Sequence, residues 1–301
     1  VDLVCRFITN FKTNAYTLSD FSRMSNSTKN VRTKLFLDIC QECYLQYQKY
    51  LAENNAVDFQ DMINESVQIL KKVKEMKQKL DFKYIIVDEY QDISRQRFDL
   101  TKELSTVTDA KIIAVGDDWQ SIYAFSGSDI TLFTEFISKM GYGKLLKIEK
   151  TYRNAQEIIN IAGGFIQKNT SQIKKTLISP KHISDPVIIY TYDPTLKREG
   201  MDNKSGVNYA IAHTVEAALE QIMAYDRIER EGRSSKILLL GRFGFDGYSL
   251  ERSGLFEYIN REGKVRSVKY PHLDITFMTA HSSKGLGYDN VIVINGRNDT
   301  Y

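Results

Sequence analysis

Two acidic residues directly after a short apolar run are the feature of the sequence best suited to chemistry. Asp88 and Glu89 follow residues 84–87, whose apolar pattern predicts a buried strand. Ligands of α/β sheets bind at the carboxyl ends of the strands. A carboxylate there can hold Mg²⁺, and a neighbouring carboxylate can orient or deprotonate an attacking water. The pair predicts the acidic half of a nucleoside-triphosphate hydrolysis site, with a helix N-cap as the alternative.

A second loop combines an amide with two aromatic residues. Gln120 comes shortly after the predicted strand at 111–115, and its amide could hydrogen-bond a terminal phosphate or the attacking water. Tyr123 and Phe125 follow at alternate positions. Exposed rings on such a loop can stack on unpaired bases, at about 1–3 kcal/mol per base. The alternative is that Phe125 fills the core below the loop.

Two further segments follow predicted strands and carry groups suited to phosphates. Tyr152 and Arg153 come after the predicted strand at 145–148. An arginine there could reach across a cleft to a γ-phosphate, or it could simply be solvated. The segment 281–285 supplies hydroxyls, a lysine and backbone N–H groups that suit phosphate oxygens, although it could equally be a plain turn.

Composition sets broad limits on the class of protein. The chain has 301 residues, 42% hydrophobic and 26% charged, which is typical of a globular protein with two ordinary domains. The formal charge of +3 is too small to indicate nucleic-acid binding unless a local patch exists. No apolar run approaches the roughly 20 residues of a membrane span, and no signal peptide is present. We therefore expect a cytoplasmic protein without a membrane partner.

Three cysteines, Cys5, Cys40 and Cys43, argue against a disulfide framework. The C-x-x-C spacing could suggest zinc, but no second Cys or His pair stands nearby. The apolar residues from Leu35 to Leu51 have helical spacing, which predicts both Cys40 and Cys43 on the buried stripe of a helix.

The order of elements predicts an α/β fold after a helical start. Residues 1–30 have no clear pattern, and 31–80 read as helical, with Phe59, Met62 and Val67 on one apolar stripe. A strand, a helix near 95–106 and a second strand then predict a βαβ crossover and a parallel sheet. The further expected elements are strands at 145–148, 187–191, 236–240, 274–279 and 291–294, a helix at 207–224 and a loop at 193–206.

Four strings of the sequence carry a resemblance to a known family: Val87-Asp88-Glu89-Tyr90-Gln91-Asp92, Gly116-Asp117-Asp118-Trp119-Gln120-Ser121-Ile122-Tyr123, Thr151-Tyr152-Arg153 and His281-Ser282-Ser283-Lys284-Gly285. Together they resemble motifs II, III, IV and V of the UvrD/Rep/PcrA group of superfamily 1 DNA helicases. The string Asp58-Phe59-Gln60-Asp61-Met62 is similar to a segment that precedes motif II in that family.

Three positions depart from the usual family pattern. Trp119 stands in place of an acid, Ser126 in place of an arginine, and Gly287 in place of a ribose-contacting glutamate. Gly287 puts ribose recognition at that position in doubt. Trp119 and Phe125-Ser126-Gly127 are instead similar to the helicase IV branch, as is the pair Lys174-Lys175.

The resemblance implies a role for each matched residue. Asp88 would bind Mg²⁺, Glu89 would activate water, and Gln120 would sense the γ-phosphate of ATP. Tyr152 would stack on adenine, Arg153 would contact the γ-phosphate, and Gly285 would belong to the nucleotide site. The residues implied to meet single-stranded DNA or its backbone are Tyr123, Phe125, His281, Ser282 and Lys284.

The same resemblance implies an architecture and an activity. Residues 1–80 would be a helical, 1B-like segment, 81–146 the C-terminal half of a first RecA-like domain, and 147–301 the second. The accessory subdomain 2B would be absent or vestigial. The implied activity is DNA-stimulated ATP hydrolysis that drives 3′→5′ movement on single-stranded DNA, with ATP and Mg²⁺ as cofactors. The implied partners are single-stranded DNA and single-strand/duplex junctions, with other DNA-repair proteins or RNA polymerase as further candidates.

The sequence contains no G-x-x-x-x-G-K-[ST] loop and no match to motif VI. It also starts without Met, so we expect a fragment of a longer protein that hydrolyses ATP negligibly by itself. Two alternatives stay open: a non-hydrolysing module that binds nucleic acid or protein, and the motor part of a helicase–nuclease.

Overall fold

The computed structural model describes residues 1–78, 80–259 and 263–296, and the chain divides into two compact units, 1–184 and 185–301. The fold is α/β with a helical N-terminal segment and parallel strand pairs, as the sequence predicts. This agrees with a truncated RecA-like arrangement. The expected domain boundaries at 80/81 and 146/147 stay predictions.

Four helices form the N-terminal segment: α1 Asp2–Thr13, α2 Leu18–Ser27, α3 Val31–Glu53 and α4 Phe59–Glu75. The first thirty residues are rich in polar side chains, which obscure the helical pattern in the sequence. Some of these side chains are helix caps. Thr17 and Asp20 form a capping box on α2, and the side chain of Asn30 accepts two backbone N–H groups at the start of α3.

The core of this segment contains Cys40 but not Cys43. Cys40 is fully buried beside Phe11 and Phe21, whose rings stack with centroids 4.3 Å apart, and burial raises the pKa of its thiol to about 11. Cys43 is exposed, so the prediction that both thiols are buried was wrong for this residue. The stripe passes from Cys40 to Tyr44, one helical turn on, and leaves Cys43 at its edge.

The predicted stripe of α4 also needs a correction at its start. Phe59 is 82% exposed and Met62 is exposed, whereas Val67 is buried. Asp58 and Asp61 set the orientation of the first turn of α4. Their carboxylates bind the buried Nζ of Lys12 in α1, at 2.5 and 2.6 Å. Because Phe59 and Met62 each follow one of these aspartates, their side chains point about 100° away from Lys12.

A parallel pair of strands follows. Strands β1 Tyr84–Val87 and β2 Lys111–Ala114 pair in parallel with Val87 opposite Ala114, and α5 Arg95–Thr108 crosses between them. This confirms the predicted βαβ unit. The core beneath it contains Tyr90, Ile93, Phe98 and Leu132. The remaining helices of the first unit are α6 Thr131–Thr134, α7 Phe136–Met140 and α8 Gln156–Ile166.

Two predicted strands do not form among the described residues. Segments 145–148 and 187–191 have no strand, and near the first of them only an isolated parallel bridge, Lys150 to Ile178, is present. Leu146 and Ile148 are 76% and 82% exposed, so these apolar side chains have no sheet neighbour to cover them.

The second unit has one long helix and a mixed sheet. Helix α9 Asn203–Glu229 begins inside the predicted loop, since the side chain of Asp202 caps it. The other elements are β3 Lys236–Gly241, α10 Gly244–Glu251, β4 Phe256–Tyr258, β5 Lys264–Ser267, β6 Asp274–Thr279 and β7 Asn290–Val293.

The sheet order is β4-β5-β6-β3-β7. Strands β6 and β7 lie parallel to β3, as predicted, whereas β4 and β5 add antiparallel to that core and were not predicted. Their three and four residues are too short to form a clear apolar run. Among the described residues, no helix is both long and apolar enough to span a bilayer.

Candidate functional site

The acidic pair and the second loop meet at one edge of the first sheet. Val87 and Ala114 are opposite each other, so Asp88 and Val115 leave the sheet side by side. The N–H of Val115 donates to Val87 O at 2.9 Å, and the N–H of Tyr90 donates to Val115 O at 2.8 Å. The structure therefore brings the two loops together at the carboxyl ends of parallel strands, where α/β ligands bind.

Glu89 has an unusual backbone conformation for a residue with a side chain. Its φ of 49° and ψ of 41° lie in the left-handed region, which costs a non-glycine residue about 1 kcal/mol or more. The N–H of Glu89 donates to Asp88 Oδ1 at 2.8 Å. Glu89 stands at the N-cap position of the short 3-10 helix Tyr90–Asp92, but its side chain makes no capping hydrogen bond, and the N-cap of α5 is Ser94. The N-cap alternative therefore does not explain this acid.

Gln91 joins the acidic pair to the second loop. It is fully buried, its Nε2 donates to Glu89 Oε2 at 2.5 Å, and its Oε1 accepts the N–H of Asp117 at 2.9 Å. A Cβ at Gly116 would lie 2.4 Å from Gln91 Oε1, so this approach requires glycine. Sequence reasoning gave Gln91 no role, although it belonged to the string that made the acids specific.

Gln120 is held through an aspartate and a distant lysine. Gln120 Nε2 donates to Asp117 Oδ2 at 2.8 Å, and Lys175 Nζ binds Asp117 Oδ1 and, at 2.8 Å, Asp118 Oδ1. Burial alone would raise the pKa of Asp117, but the hydrogen bonds from Lys175 and Gln120 outweigh it, so this pKa lies below its ordinary value. Sequence reasoning assigned no structural role to Lys175, which was matched only as part of the Lys174-Lys175 pair similar to the helicase IV branch.

Trp119 packs the same loop against a helix. A Cβ at Gly163 of α8 would lie 2.9 Å from the edge of the Trp119 ring, and Lys175 Nζ lies 4.7 Å from the ring centroid. The loop that carries Gln120 is therefore fixed on three sides, by Gln91, Lys175 and α8.

The aromatic pair of this loop lies at the surface. Phe125 is 64% exposed, so the alternative that it fills the core is wrong. The rings of Tyr123 and Phe125 meet edge to face with centroids 6.0 Å apart. A groove of about 500 Å³ borders the loop and is lined mainly by polar side chains, including Asn10 and Asn169.

Tyr152 and Arg153 are exposed in the first unit. Lys150 Nζ lies 5.3 Å from the ring centroid of Tyr152, and the carbonyl of Arg153 accepts from Lys181 Nζ at 3.3 Å. Within the described ranges, no ion pair joins the guanidinium of Arg153 to Asp88 or Glu89. Their convergence on one γ-phosphate stays a prediction.

The segment 281–285 is a turn after β6, in the second unit. The hydroxyls of Thr279 and Ser282 hydrogen-bond at 2.9 Å, and Ser283 Oγ donates to Ala280 O at 3.1 Å. Gly285 has a φ of 81°. His281 and Lys284 are half-buried, and Ser282 is exposed. The plain-turn and phosphate-contact interpretations both fit this geometry.

The surroundings of Asp88 suit the metal that the resemblance implies, Mg²⁺. The described part of the chain contains no cluster of three or more His, Cys, Asp or Glu that could hold an ion. A lone carboxylate at a strand end suits Mg²⁺, which typically binds proteins through one or two carboxylates and takes its other ligands from water and phosphates. The residues present therefore fit Mg²⁺ bound together with a nucleotide.

The chain is similar to a known protein family and to several known proteins. Residues 2–141 match the family model for the UvrD/REP helicase N-terminal domain. The chain is 32% identical over 246 residues to DNA helicase IV of Escherichia coli (strain K12), which covers 81% of this chain and 30% of that protein.

Two other similar proteins match a shorter part of the chain. ATP-dependent DNA helicase PcrA of Bacillus subtilis (strain 168) is 33% identical over 46% of this chain and 19% of its own length. ATP-dependent DNA helicase UvrD1 of Mycobacterium bovis (strain ATCC BAA-935 / AF2122/97) is 30% identical over 50% of this chain and 20% of its own. The chain spans less than a third of the length of each of these relatives. The motifs, the fold and the matches agree: residues 2–141 belong to the UvrD/REP helicase N-terminal domain family, and the chain is similar to these DNA helicases.

Proposed function

We propose that this chain is part of an ATP-dependent DNA helicase that moves along single-stranded DNA in the 3′→5′ direction. The observation that carries the proposal is the convergence of Asp88, Glu89 and Gln120 on one sheet edge, held by Gln91 and Lys175. The names of the three relatives, which are DNA helicases, support the substrate class.

Each residue of the edge has a separate task in this proposal. Asp88 holds Mg²⁺, which when bound would neutralise charge on the phosphate oxygens of ATP. Glu89 Oε2 accepts from Gln91, and no described donor contacts Oε1, which leaves that oxygen available to accept a proton from water. Gln120, fixed by Asp117, presents its amide to the γ-phosphate or the attacking water.

The other assignments follow the family. Tyr152 stacks on adenine, Arg153 contacts the γ-phosphate, and Gly285 belongs to the nucleotide site. Single-stranded bases meet Tyr123 and Phe125. His281, Ser282 and Lys284 contact the DNA backbone. Residues 81–146 and 147–301 belong to two RecA-like domains without a full 2B subdomain, in a cytoplasmic protein that works on single-strand/duplex junctions with repair proteins or RNA polymerase.

The proposal is tested by ATP hydrolysis. The purified 301-residue chain should hydrolyse Mg-ATP negligibly, because its sequence has no loop to cradle the β-phosphate. The protein encoded by the whole reading frame should hydrolyse ATP in a DNA-stimulated manner, and Glu89→Gln should reduce that rate by about a hundredfold or more. The matched control is Glu103→Gln in α5. Loss of activity in both variants, or in neither, would contradict the role of Glu89.

A second candidate is a non-hydrolysing module that binds nucleic acid or another protein. Taken by themselves, the 301 residues fit this candidate, since they contain no G-x-x-x-x-G-K-[ST] loop. An ATPase rate in the whole protein that DNA does not raise, together with DNA binding that ATP does not change, would support this candidate. The helicase–nuclease alternative places the nuclease metal cluster in a part of the protein outside these 301 residues, whose described part holds none.

A further inference from the structure

Positive charge is concentrated in one stretch of the chain. Residues 144–182 contain eight Lys and Arg against two Asp and Glu, a net charge of +6. The whole chain has a net charge of +3, so the rest of it is acidic by three charges. An asymmetry of this size within one stretch is the electrostatic pattern of a surface that binds a polyanion.

The backbone brings two parts of this stretch side by side. The N–H of Thr151 donates to Ile178 O at 2.9 Å, and the N–H of Ile178 donates to Glu149 O at 2.8 Å. We call residues 147–153 and 174–181 the basic ribbon, because this parallel bridge aligns them.

The cations lie along the ribbon on both sides of the bridge. Lys147 Nζ donates to the carbonyl of Lys174 at 2.8 Å, so these two lysines are neighbours at one end. Lys181 Nζ donates to the carbonyl of Arg153 at 3.3 Å, so these two cations are neighbours at the other end. Lys150 stands between them at the bridge.

These cations are exposed and have no carboxylate partners. Among the described residues, no salt bridge includes any of the following: Lys147, Lys150, Arg153, Lys174 and Lys181. Lys175 of the same ribbon differs, since it binds Asp117 and Asp118. Like charges on neighbouring stretches of backbone repel each other, so folding gives no reason for this arrangement.

We propose that the basic ribbon binds the phosphate backbone of a nucleic-acid strand. The seven residues from Lys147 to Arg153, which bend at Tyr152 and Arg153, span at most about 20 Å. That length matches about six phosphates of one strand at 3.4 Å each. Lysines act as point charges on phosphates and carry no base information, so the ribbon binds without sequence preference.

This surface goes beyond the DNA contacts of the proposed function, which are assigned to Tyr123, Phe125 and the turn at 281–285. The class of partner rests on the proposed function, whereas the ribbon itself rests on its own charges and pairing. Arg153, which the proposed function assigns to ATP, is left unchanged in the test.

The test is the salt dependence of oligonucleotide binding by the 301-residue chain. Fluorescence anisotropy of a labelled oligothymidylate is recorded between about 50 and 200 mM salt. The ribbon variant combines Lys147→Gln, Lys150→Gln, Lys174→Gln and Lys181→Gln. Each lost phosphate contact should lower the slope of log K against log salt by about 0.7, or about 2.8 for all four.

A control variant has the same net charge as the ribbon variant but loses its four lysines at positions outside the ribbon. It combines Lys29→Gln, Lys34→Gln, Lys49→Gln and Lys102→Gln, which lie on exposed positions of the first unit. It should keep the slope of the unchanged chain, and so should a ribbon variant with arginine at the same four positions. The emission of Trp119, the single tryptophan of the chain, shows whether each variant is folded.

Two results would contradict the proposal that the ribbon binds nucleic acid. One is equal slopes in the ribbon and control variants, and the other is no binding by the unchanged chain at the lowest salt. Phe125→Ala separates the two proposals, since stacking releases no counterions. A lower affinity at an unchanged slope would support the loop contact. An unchanged affinity in Phe125→Ala would contradict the loop contact, and the ribbon would still stand on its own slope difference.

Discussion

The loops that follow β1 and β2 are built differently from the turn that follows β6, although both leave the carboxyl edge of a parallel pair. In the first unit, the loops are joined by the buried Gln91 and by Lys175, which is 58 residues from Asp117 in the sequence. In the second unit, the side-chain hydrogen bonds of Ser282 and Ser283 run to Thr279 and Ala280, which immediately precede the turn at 281–285.

This difference teaches which edge is preorganised for chemistry. Reacting groups must be held within about half an ångström of their working positions, which requires support from packed neighbours. The first edge has that support and stores a strained backbone at Glu89. At the second edge, the hydrogen bonds of Ser282 and Ser283 are local ones. Substitutions should therefore have large effects at the first edge and small effects at the second.

The largest effect is expected from Lys175→Met. It leaves Asp118, which is 1% exposed, and Asp117 without their cation, and breaking a buried ion pair costs about 3 kcal/mol or more. Urea unfolding followed by Trp119 emission measures the loss. Lys174→Met, at an exposed neighbour, is the control. Ser282→Ala should change the stability of the second unit, measured by hydrogen exchange of the β3 and β6 amides, by about 0.5 kcal/mol or less. Equal losses at Lys175 and Ser282 would break the comparison.

Two adjacent glycines of α8 give the next largest effect. Gly163→Ala places a Cβ 2.9 Å from the rigid ring of Trp119, and such overpacking costs about 1–3 kcal/mol. Gly164→Ala meets nothing within 4 Å and should stabilise the helix by about 0.5–1 kcal/mol. Melting temperatures of the two variants should move in opposite directions. A shift in the same direction would show that Trp119 does not hold the loop against α8.

The parts of this site that the sequence could predict are those set by local pattern. The acids at 88 and 89 and Gln120 follow apolar strands, and parallel pairing then brings them together at one edge. Gln91 and Lys175 were not predicted as supports, because their contacts with Asp117, across 26 and 58 residues, leave no periodic signal. The αL backbone of Glu89 also has no signal in residue type.

The fold was predicted where apolar residues are also buried. The pattern failed at 145–148 because the side chains of Leu146 and Ile148 are apolar but exposed. It failed at β4 and β5 for the opposite reason, since these strands pair without a clear apolar run. Cys43 shows a third cause, since helical spacing locates a stripe without defining its edge.

The smallest expected effect is on the pH dependence of stability, which should have opposite signs in the two units. The pKa of Asp117 is lowered, so its contribution to stability is present above the unfolded pKa and is lost as the pH falls through the folded pKa. Glu216 of α9 behaves in the opposite way. Burial is the main cause that raises its pKa, and no described donor or acceptor contacts its Oε1. Its contribution is therefore present below the unfolded pKa and is lost as the pH rises through the folded pKa.

The direction of the stability change with pH can be measured separately in each unit. Trp119 emission in urea, from about pH 3 to about pH 8, should show the first unit losing stability in acid, and Asp117→Asn should flatten that loss. Hydrogen exchange of the β3 and β6 amides should show that Glu216→Gln protects the second unit more as the pH rises, once the intrinsic exchange rate is corrected for. Because glutamine stays neutral, its advantage should vanish below the unfolded pKa of the glutamate. An advantage of the same size at every pH would mean that Glu216 acts through packing instead of through its charge.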